Sequence, residues 1–285
     1  MKVGIQLYSV RNAMEQNPYE CLKEVAKAGF KYIEPANHNA QKDFGIGFGV
    51  PAKELKSVLD DYGLQVINAH VQPLDEENVK QVIEYHQILG NRSLTLPMIM
   101  YSSHEEALRI AEMIQKTGEI CHENGMEYLY HNHYHEFQIL DGEMVFDTLI
   151  NNTSPDCVGF ELDTFWTMRG GVDPIKMIHK LGTRLKKIHQ KDFSKDCTQP
   201  VNMFEVIEKD ANITMDLFIK TLNVKAFTEI GFGIMDIQSI IEAGNKLGSV
   251  DFIILEQDAT QMPSEIESIK KSMSGFKKFS GLDFS

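Results

Sequence analysis

Short apolar segments rich in β-branched residues alternate along the chain with amphipathic segments that begin at capping residues. The first apolar segment covers residues 3–10, and the helix predicted after it begins at Asn17-Pro18 and ends at Gly29. An asparagine followed by a proline is typical of a helix start, and a glycine is typical of a helix end. The pattern therefore predicts a strand followed by a helix, and it recurs to the end of the chain.

The same alternation predicts eight strands, which cover residues 3–10, 32–34, 64–70, 93–97, 127–133, 158–163, 185–189 and 251–256. The predicted helices include 51–62, 76–89, a helix from the Ser103 capping box to Gly125, a helix from Asp173 to Gly182, and a last helix capped by Ser264. Strands that alternate with helices favour a parallel sheet. Since no GxGxxG motif follows the first strand, a dinucleotide-binding open sheet is disfavoured. We predict an α/β fold, a single (β/α)8 TIM barrel over residues 1–285.

One connection is longer than the others. Residues about 193–228, after the seventh strand, form an insertion, and connections of this length are uncommon in compact domains unless they have a function. We expect a lid or an interaction segment on the face where the strands end. An additional helix pair without a function is the alternative.

Composition and charge disfavour several classes of protein. The 285 residues contain 28 Lys and Arg against 41 Asp and Glu, a formal net charge of −13. This acidic balance disfavours binding to nucleic acid, which requires clustered positive charge. No apolar run is long enough for a membrane span, and the four cysteines lack CxxC spacing. We therefore expect a cytoplasmic protein with reduced thiols.

Polar side chains follow the carboxyl ends of four successive predicted strands. With a period of two, the residues that share the inner face are His131 and His133 on the fifth strand, Glu161 and Asp163 on the sixth, Lys187, His189 and Lys191 on the seventh, and Glu256 on the eighth. The strand ends of a barrel converge on one mouth, where active sites are built. Imidazole and carboxylate ligands together suit Mn, Zn, Co or Fe(II) better than Mg. The pattern predicts a site for one divalent metal, Mn being our first choice, with the ligands His131, Asp163, His189 and Glu256.

Five segments resemble the xylose isomerase-like TIM-barrel superfamily, whose members include sugar phosphate isomerases and epimerases. They are YHNHYHEF (130–137), ELDTFW (161–166), KIHQKDF (187–193), EIGFGIMDI (229–237) and ILEQD (254–258). As an ordered series they cover nearly the whole chain. The resemblance implies a TIM barrel, a bound divalent metal, and a small sugar, keto-sugar or cyclitol as the substrate.

The resemblance also implies a metal set of Glu, Asp, His and Glu on four successive strands. Asp163, His189 and Glu256 match the last three ligands, whereas His131 lies where the family has its first glutamate. His133 is the alternative ligand at that position. In the family's epimerases the two glutamates act as the acid/base pair, and this chain retains only Glu256. The replacement of the first glutamate by His131 argues against an epimerisation that uses two glutamates.

The remaining candidate residues have alternative interpretations. His133 is a candidate general acid or base, or it only orients a ligand. Lys191 is a candidate to hold a substrate oxyanion or phosphate, or it is a solvated loop lysine. Glu161 is a catalyst or a buried partner of Lys187. The candidate substrate contacts are Glu136, Trp166, Glu229 and His70, of which Trp166 and His70 could equally be structural.

These observations predict a metal-dependent enzyme of carbohydrate metabolism. The leading hypothesis is an isomerase or epimerase that removes a proton beside a metal-bound carbonyl and forms an enediolate. The alternative is a lyase or dehydratase that uses the same enolate, such as an inosose dehydratase-like enzyme or the barrel subunit of a C-glycoside deglycosidase. A non-catalytic sugar-binding barrel is a third hypothesis. The resemblance to the C-glycoside deglycosidases implies that the insertion could contact a small partner subunit, and a homo-oligomer is a separate possibility.

Overall fold

The computed structural model describes residues 1–208 and 211–285. Lys209 and Asp210, which belong to the predicted insertion, lie outside the described residues.

The described strands are β1 (Lys2–Gln6), β2 (Tyr32–Glu34), β3 (Ala36–Asn37), β4 (Gln65–Val66), β5 (His70–Val71), β6 (Ser93–Leu96), β7 (Glu127–His131), β8 (Ile139–Leu140), β9 (Glu143–Met144), β10 (Gly159–Asp163), β11 (Leu185–Gln190), β12 (Asp192–Phe193), β13 (Phe227–Thr228) and β14 (Phe252–Leu255). Ten of them form one parallel sheet, in the order β3-β5-β6-β7-β10-β11-β14-β1-β2-β4. Of the barrel's successive strands, one is divided into β2 and β3 and the next into β4 and β5. Because β2 pairs with β4 and β3 pairs with β5, the two ends of this order are joined and the sheet closes. The predicted TIM barrel is confirmed.

The helices surround this sheet. They are α1 (Arg11–Gln16), α2 (Pro18–Lys27), α3 (Ala52–Tyr62), α4 (Val79–Ile88), α5 (His104–Glu123), α6 (Val145–Asn151), α7 (Thr164–Arg169), α8 (Pro174–Leu181), α9 (Met215–Thr221), α10 (Ile237–Leu247) and α11 (Glu265–Phe276). The predicted caps are present: the side chains of Asn17, Ser103, Asp173 and Ser264 each accept a backbone N–H from the first turn of their helix. These bonds satisfy donors that have no partner within the helix.

Several strands are shorter than their apolar segments predict. The predicted strand 3–10 ends at Gln6, and residues 7–10 form a 3₁₀ turn whose Tyr8 N–H donates to the Gln6 side chain. The predicted strand 64–70 is divided between β4 and β5. The predicted strand 127–133 ends at His131, so His133 lies in the connection beyond it.

The core lies between the sheet and the helices, and the inside of the barrel is polar towards its mouth. On β10, Phe160 packs against Phe146 of α6 with 5.4 Å between ring centroids. The alternate residues Glu161 and Asp163 face the inside of the barrel, and both are 0% exposed. The strand is therefore buried on both faces, as is usual in parallel sheets.

The segment after β11 packs on the mouth beside α7. The strands β12 and β13 form an antiparallel pair that joins its two ends, and α9 lies between them in the chain. Arg169, the last residue of α7, donates from Nη1 to the carbonyl oxygen of Pro200 at 2.7 Å. A second apolar cluster, separate from the main core, joins the segment to the barrel and includes Phe165, Trp166, Phe193, Met203, Phe218 and Phe227. Within the described part of the chain, no helix has both the length and the apolar character needed to cross a membrane.

Candidate metal and substrate site

The structure brings together the four side chains that the sequence predicts as metal ligands. His131, Asp163, His189 and Glu256 come from β7, β10, β11 and the end of β14, and one potential ligand atom from each lies within 4.8 Å of the others. Three of them are 0% exposed, and Glu256 is 6% exposed. The group is therefore a compact, buried set of two imidazoles and two carboxylates, hereafter the mouth set.

The surroundings of His131 are those expected of a side chain that binds a metal. Among the described residues, neither of its ring nitrogens has a hydrogen-bond partner. Nδ1 lies 3.8 Å from Oε2 of Glu161, and Nε2 lies 3.9 Å from Oε2 of Glu256. Burial lowers the pKa of His131 well below its ordinary value, and His189 and His70 act in the same direction. A buried polar group without a partner is costly, and a neutral imidazole is a common metal ligand. The residues present therefore fit a bound divalent ion.

His189 lies between carboxylates on its two sides. Its Nδ1 lies 2.8 Å from Oε2 of Glu256, and its Nε2 lies 2.9 Å from Oε1 of Glu34 and 3.3 Å from Oε1 of Glu161. Burial lowers the pKa of His189, but Glu161 and Glu34 outweigh it and hold this pKa well above its ordinary value. The Nδ1–Glu256 contact is a hydrogen bond that orients the ring, whereas Nε2, though close to two carboxylates, has no hydrogen-bond partner among the described residues.

A second layer of buried polar groups lies below the mouth set. His70 Nε2 lies 2.6 Å from Oε2 of Glu161 and 3.1 Å from Oε1 of Glu34, and its Nδ1 lies 2.8 Å from the Gln6 amide nitrogen. The Asn68 amide donates to both Glu34 and Glu161. His70 and Glu161, together with His131 and His189, form a second group with ligand atoms within 4.8 Å of one another, hereafter the deep set. The two sets share two imidazoles.

The predicted alternative that pairs Glu161 with Lys187 is wrong. Lys187 Nζ donates to Oε2 of Glu127 at 2.6 Å and to Oγ of Ser93 at 3.0 Å. Ser93 and Glu127 are the first residues of β6 and β7, so the lysine side chain runs to the opposite end of the barrel from the mouth. Glu161 and Lys187 are in register on neighbouring strands, yet their long side chains lie at different levels along the barrel axis.

Lys191 is buried inside the mouth, which rules out the predicted alternative of a solvated loop lysine. Its Nζ, in a side chain that is 0% exposed, donates to Oδ2 of Asp163 and to Oε2 of Glu256 and lies 3.8 Å from Oδ1 of Asp258. Burial opposes the charge, but Asp163, Asp258 and Glu256 raise the pKa of Lys191 above its ordinary value. The ammonium therefore contacts two members of the mouth set directly.

Asp258 is a site residue that the sequence reasoning did not single out. Burial raises its pKa to about 7, although Lys191 acts in the opposite direction. Its carbonyl oxygen accepts a hydrogen bond from Arg11 Nη2 at 2.7 Å. The signal available in the sequence was a second carboxylate two residues after Glu256 in the segment ILEQD.

His133 is held at the edge of the mouth by Glu136. The His133 backbone N–H donates to Oε2 of Glu136 at 2.8 Å, and the Tyr130 hydroxyl donates to Oε1 at 2.7 Å. The His133 Nδ1 atom has no hydrogen-bond partner in the part of the chain that the structure describes, and burial lowers the pKa of this imidazole well below its ordinary value. Both Glu136 oxygens are thus engaged in positioning the connection that carries His133.

An aromatic wall borders His133, and part of it comes from the insertion. Trp166 is 2% exposed, with its ring centroid 5.5 Å from that of His133, and its Nε1 has no hydrogen-bond partner. Phe218 of α9 lies 5.4 Å from the His133 ring and stacks on Tyr134 at 5.0 Å. No sequence pattern linked Phe218 to the mouth.

Glu229 is engaged with the last helix. Its Oε1 accepts hydrogen bonds from Thr260 at 2.6 Å and Ser268 at 3.0 Å, and its Oε2 lies 3.5 Å from Lys271 Nζ. These contacts hold both oxygens against α11 and its preceding loop. Glu229 therefore connects these elements, and we do not include it among the proposed substrate contacts.

A cavity of about 220 Å³ lies at the carboxyl ends of β1 and β3, with Tyr8, Arg11, His38 and Phe48 among its lining residues. Arg11 joins it to the mouth set through Asp258, whose carboxylate faces Lys191. A larger cavity of about 570 Å³ lies between the β8–β9 hairpin and the segment that carries α9. Among the described residues, no member of the mouth set lines either cavity. The smaller cavity is the better candidate for a substrate pocket because Arg11 and Asp258 connect it to Lys191.

Comparisons with known proteins agree with this fold. The chain is 25% identical over 269 residues to the inosose dehydratase of Clostridium beijerinckii, which covers 86% of this chain and 83% of that protein. A crystal structure of a sugar phosphate isomerase/epimerase from Parabacteroides distasonis has a TM-score of 0.75 and 20% identity, and covers 99% of this chain and 95% of that one. The IolI protein with a bound zinc atom has a TM-score of 0.70 and 15% identity, and covers 98% of this chain and 100% of that one.

A family model gives the same result for most of the sequence. Residues 22–279 match the model described as xylose isomerase-like TIM barrel. The match includes all four members of the mouth set and every strand of the barrel except β1. The chain therefore belongs to the xylose isomerase-like TIM barrel family.

Proposed function

We propose that the protein is a divalent-metal-dependent lyase that removes water from a small keto-cyclitol or keto-sugar of the inosose type. The name of the Clostridium beijerinckii relative, inosose dehydratase, supports this substrate class. The lyase reaction was the alternative in the sequence analysis, and the geometry of the mouth favours it over the isomerase or epimerase reaction.

The observation that carries the proposal is that Glu256 and Lys191 lie on the same side of the mouth. Loss of water beside a ketone needs a base for the proton next to the carbonyl and a proton donor for the departing hydroxyl. A carboxylate and an ammonium on one side of a substrate can perform both steps, and the ammonium stays on that side whether it pairs with Glu256 or with Asp258. Epimerisation at one carbon instead needs proton carriers on opposite faces, and His131 lies where the family's epimerases have their other glutamate.

The remaining roles follow from the positions of the side chains. His131, Asp163, His189 and Glu256 would hold the metal, which supplies a Lewis acid that polarises the substrate carbonyl. Because a carboxylate has two oxygens, Glu256 can contribute to the metal set and still accept a proton. Lys191 donates a proton to the departing hydroxyl, which leaves as water, and its charge stabilises the negative charge that develops on that oxygen. Mn²⁺ is the first ion to test, followed by Zn²⁺, Co²⁺ and Fe²⁺, since all four accept mixed imidazole and carboxylate ligands.

The substrate would lie between the mouth set and the cavity lined by Tyr8, Arg11 and His38. Arg11 and His38 offer hydrogen-bond donors to hydroxyl groups, and Tyr8 offers a ring face, a combination common in sugar sites. Trp166 and His133 border the opposite side, where the unpartnered Trp166 Nε1 and His133 Nδ1 lie. The site would therefore enclose a ligand of monosaccharide size.

A second candidate function, a ketose isomerase or epimerase, is favoured by one feature. His133 offers an imidazole nitrogen without a partner, and its ring centroid lies 5.1 Å from that of His131. It could act as the second proton carrier, the role that the first glutamate has in the family's epimerases. Both functions share the first step, removal of the proton next to the carbonyl.

The experiment is incubation of Mn²⁺-loaded protein with an inosose in deuterated water, followed by NMR and by ultraviolet absorbance of the conjugated product. We expect loss of water and deuterium on carbon in the unreacted ketone or the product. Epimer formation with deuterium but without water loss would instead support the second candidate. Neither deuterium nor product, from an inosose or from ketoses, would contradict both. Glu256→Gln is the inactive control.

A further inference from the structure

Lys191 contacts the same two carboxylates that the proposed metal would use. Its Nζ donates to Oδ2 of Asp163 and to Oε2 of Glu256, and its side chain is 0% exposed. These hydrogen bonds neutralise part of the charge of a carboxylate pair buried in the barrel. The ammonium is therefore a cation of the chain itself, placed within the mouth set.

The ammonium and a divalent ion cannot both occupy this position. Metal–oxygen bonds in such sites are about 2.0–2.2 Å, so an ion on Oδ2 of Asp163 and Oε2 of Glu256, the two oxygens that Nζ contacts, would lie within van der Waals distance of Nζ. Two cations so close repel strongly in a buried site. Binding of the metal at these two oxygens therefore requires movement of the lysine side chain.

The surroundings offer Lys191 a second position. Oδ1 of Asp258 lies 3.8 Å from Nζ, and the centroid of the Trp166 ring lies 5.8 Å from it. Asp258 follows the end of β14, and its backbone carbonyl accepts a hydrogen bond from Arg11, which lines the cavity. A rotation of the flexible lysine stem towards Asp258 would keep the ammonium paired and bring it closer to the proposed substrate pocket.

We propose that Lys191 and the divalent metal exchange on Asp163 and Glu256. In the metal-free protein the ammonium joins the two carboxylates, and metal entry transfers it to Asp258, where it faces the substrate. This inference rests on the proposed function, since it requires a metal at the mouth set. It adds that metal affinity is limited by competition with a built-in cation.

The test is the Mn²⁺ affinity of Lys191→Met, measured by calorimetry and by the EPR signal of free Mn²⁺. Methionine has a similar length and no charge, so we expect Mn²⁺ to bind at least tenfold more tightly than to the unaltered protein. We also expect Mn²⁺ to raise the melting temperature of this variant more than that of the unaltered protein, because the metal then replaces a missing counter-charge.

Lys187→Met is the matched control. Lys187 is also a buried, inward-facing lysine of β11, but it pairs with Glu127 and Ser93 at the other end of the barrel. We expect its Mn²⁺ affinity to equal that of the unaltered protein. If Lys191→Met does not fold without metal, Lys191→Gln, which keeps hydrogen-bond donors but not the charge, gives the same comparison.

The outcomes separate this inference from the proposed function. An Mn²⁺ affinity in both Lys191 variants that is equal to or weaker than that of the unaltered protein would overturn the exchange and leave the metal site intact. Failure of the unaltered protein and of these variants to bind any divalent ion tested would overturn the metal-dependent function itself, and the exchange with it.

Discussion

Nε2 of His189 lies 2.9 Å from Oε1 of Glu34, a carboxylate one layer below the mouth set. The other nitrogen of the same ring, Nδ1, lies 2.8 Å from Glu256. In metal sites, the group bonded to the second nitrogen of a histidine sets the orientation and basicity of the ligand. Nε2 has no hydrogen bond of good geometry among the described residues, but its nearness to Glu34 places a carboxylate where it can support His189 as a metal ligand.

We expect Glu34→Gln to weaken Mn²⁺ binding by about 10- to 100-fold, the usual effect of removing such a supporting carboxylate. The amide keeps the volume of the side chain but loses the charge that faces Nε2 of His189. Calorimetric titration with Mn²⁺ measures the effect. Glu127→Gln, at the opposite end of the barrel, is the control that should keep its affinity. An unchanged affinity in Glu34→Gln would show that His189 is oriented without Glu34.

Phe218→Ala tests whether the insertion is part of the site. The Phe218 ring is 8% exposed and stacks on Tyr134, so its removal should lower the free energy of unfolding by about 3 kcal/mol. We also expect KM for the substrate to rise, because the wall beside His133 and Trp166 opens. Urea denaturation and steady-state kinetics measure the two effects.

The neighbouring residue provides the control for that variant. Ile219 lies on the same helix but is 61% exposed, so Ile219→Ala should change the free energy of unfolding by no more than about 0.5 kcal/mol and leave KM unchanged. Equal KM values in Phe218→Ala and Ile219→Ala would contradict a role of the insertion in the substrate site.

The barrel and the mouth set could be predicted from the sequence because both follow from local patterns. Strand periodicity places Asp163 and His189 on the inner face, and the convergence of strand ends brings them together. The two-residue period of a strand predicts which face a side chain occupies, but not how far along the barrel axis the end of that side chain lies. Glu161 and Lys187 are in register and face the same way, yet Glu161 contacts His70 while Lys187 contacts Glu127.

Other site residues were missed because their contacts are not local. Glu34 ends a short strand with no motif around it, and only the closed barrel brings it to His189, 155 positions later in the chain. Phe218 belongs to an amphipathic helix within the insertion, and its place beside His133 depends on how that segment folds back. Lys191 was predicted from its motif, but its burial between Asp163 and Glu256 depends on the closed barrel, which brings the ends of two other strands to it.

His86 should make the protein sensitive to acid. It is 0% exposed, and burial lowers its pKa from the ordinary 6.5 to about 4. Below pH 6.5 the unfolded chain takes up a proton on this residue before the folded chain does, so stability falls as the pH falls towards 4. The loss reaches about 3 kcal/mol at pH 4 relative to pH 7.

Urea denaturation at several pH values measures this contribution. In His86→Gln the side chain cannot titrate, so the free energy of unfolding should fall less steeply between pH 6.5 and pH 4 than in the unaltered protein. Profiles of equal steepness in the two proteins would show that His86 is not the cause.

The central claim is that one divalent ion binds at the mouth set rather than at the deep set, with which it shares His131 and His189. Counting Mn²⁺ per chain by equilibrium dialysis in Asp163→Asn and His70→Gln tests this most directly, because Asp163 belongs only to the mouth set and His70 only to the deep set. The account predicts one bound ion per chain in the unaltered protein and in His70→Gln, and loss of the ion in Asp163→Asn. An ion retained in Asp163→Asn and lost in His70→Gln would contradict it.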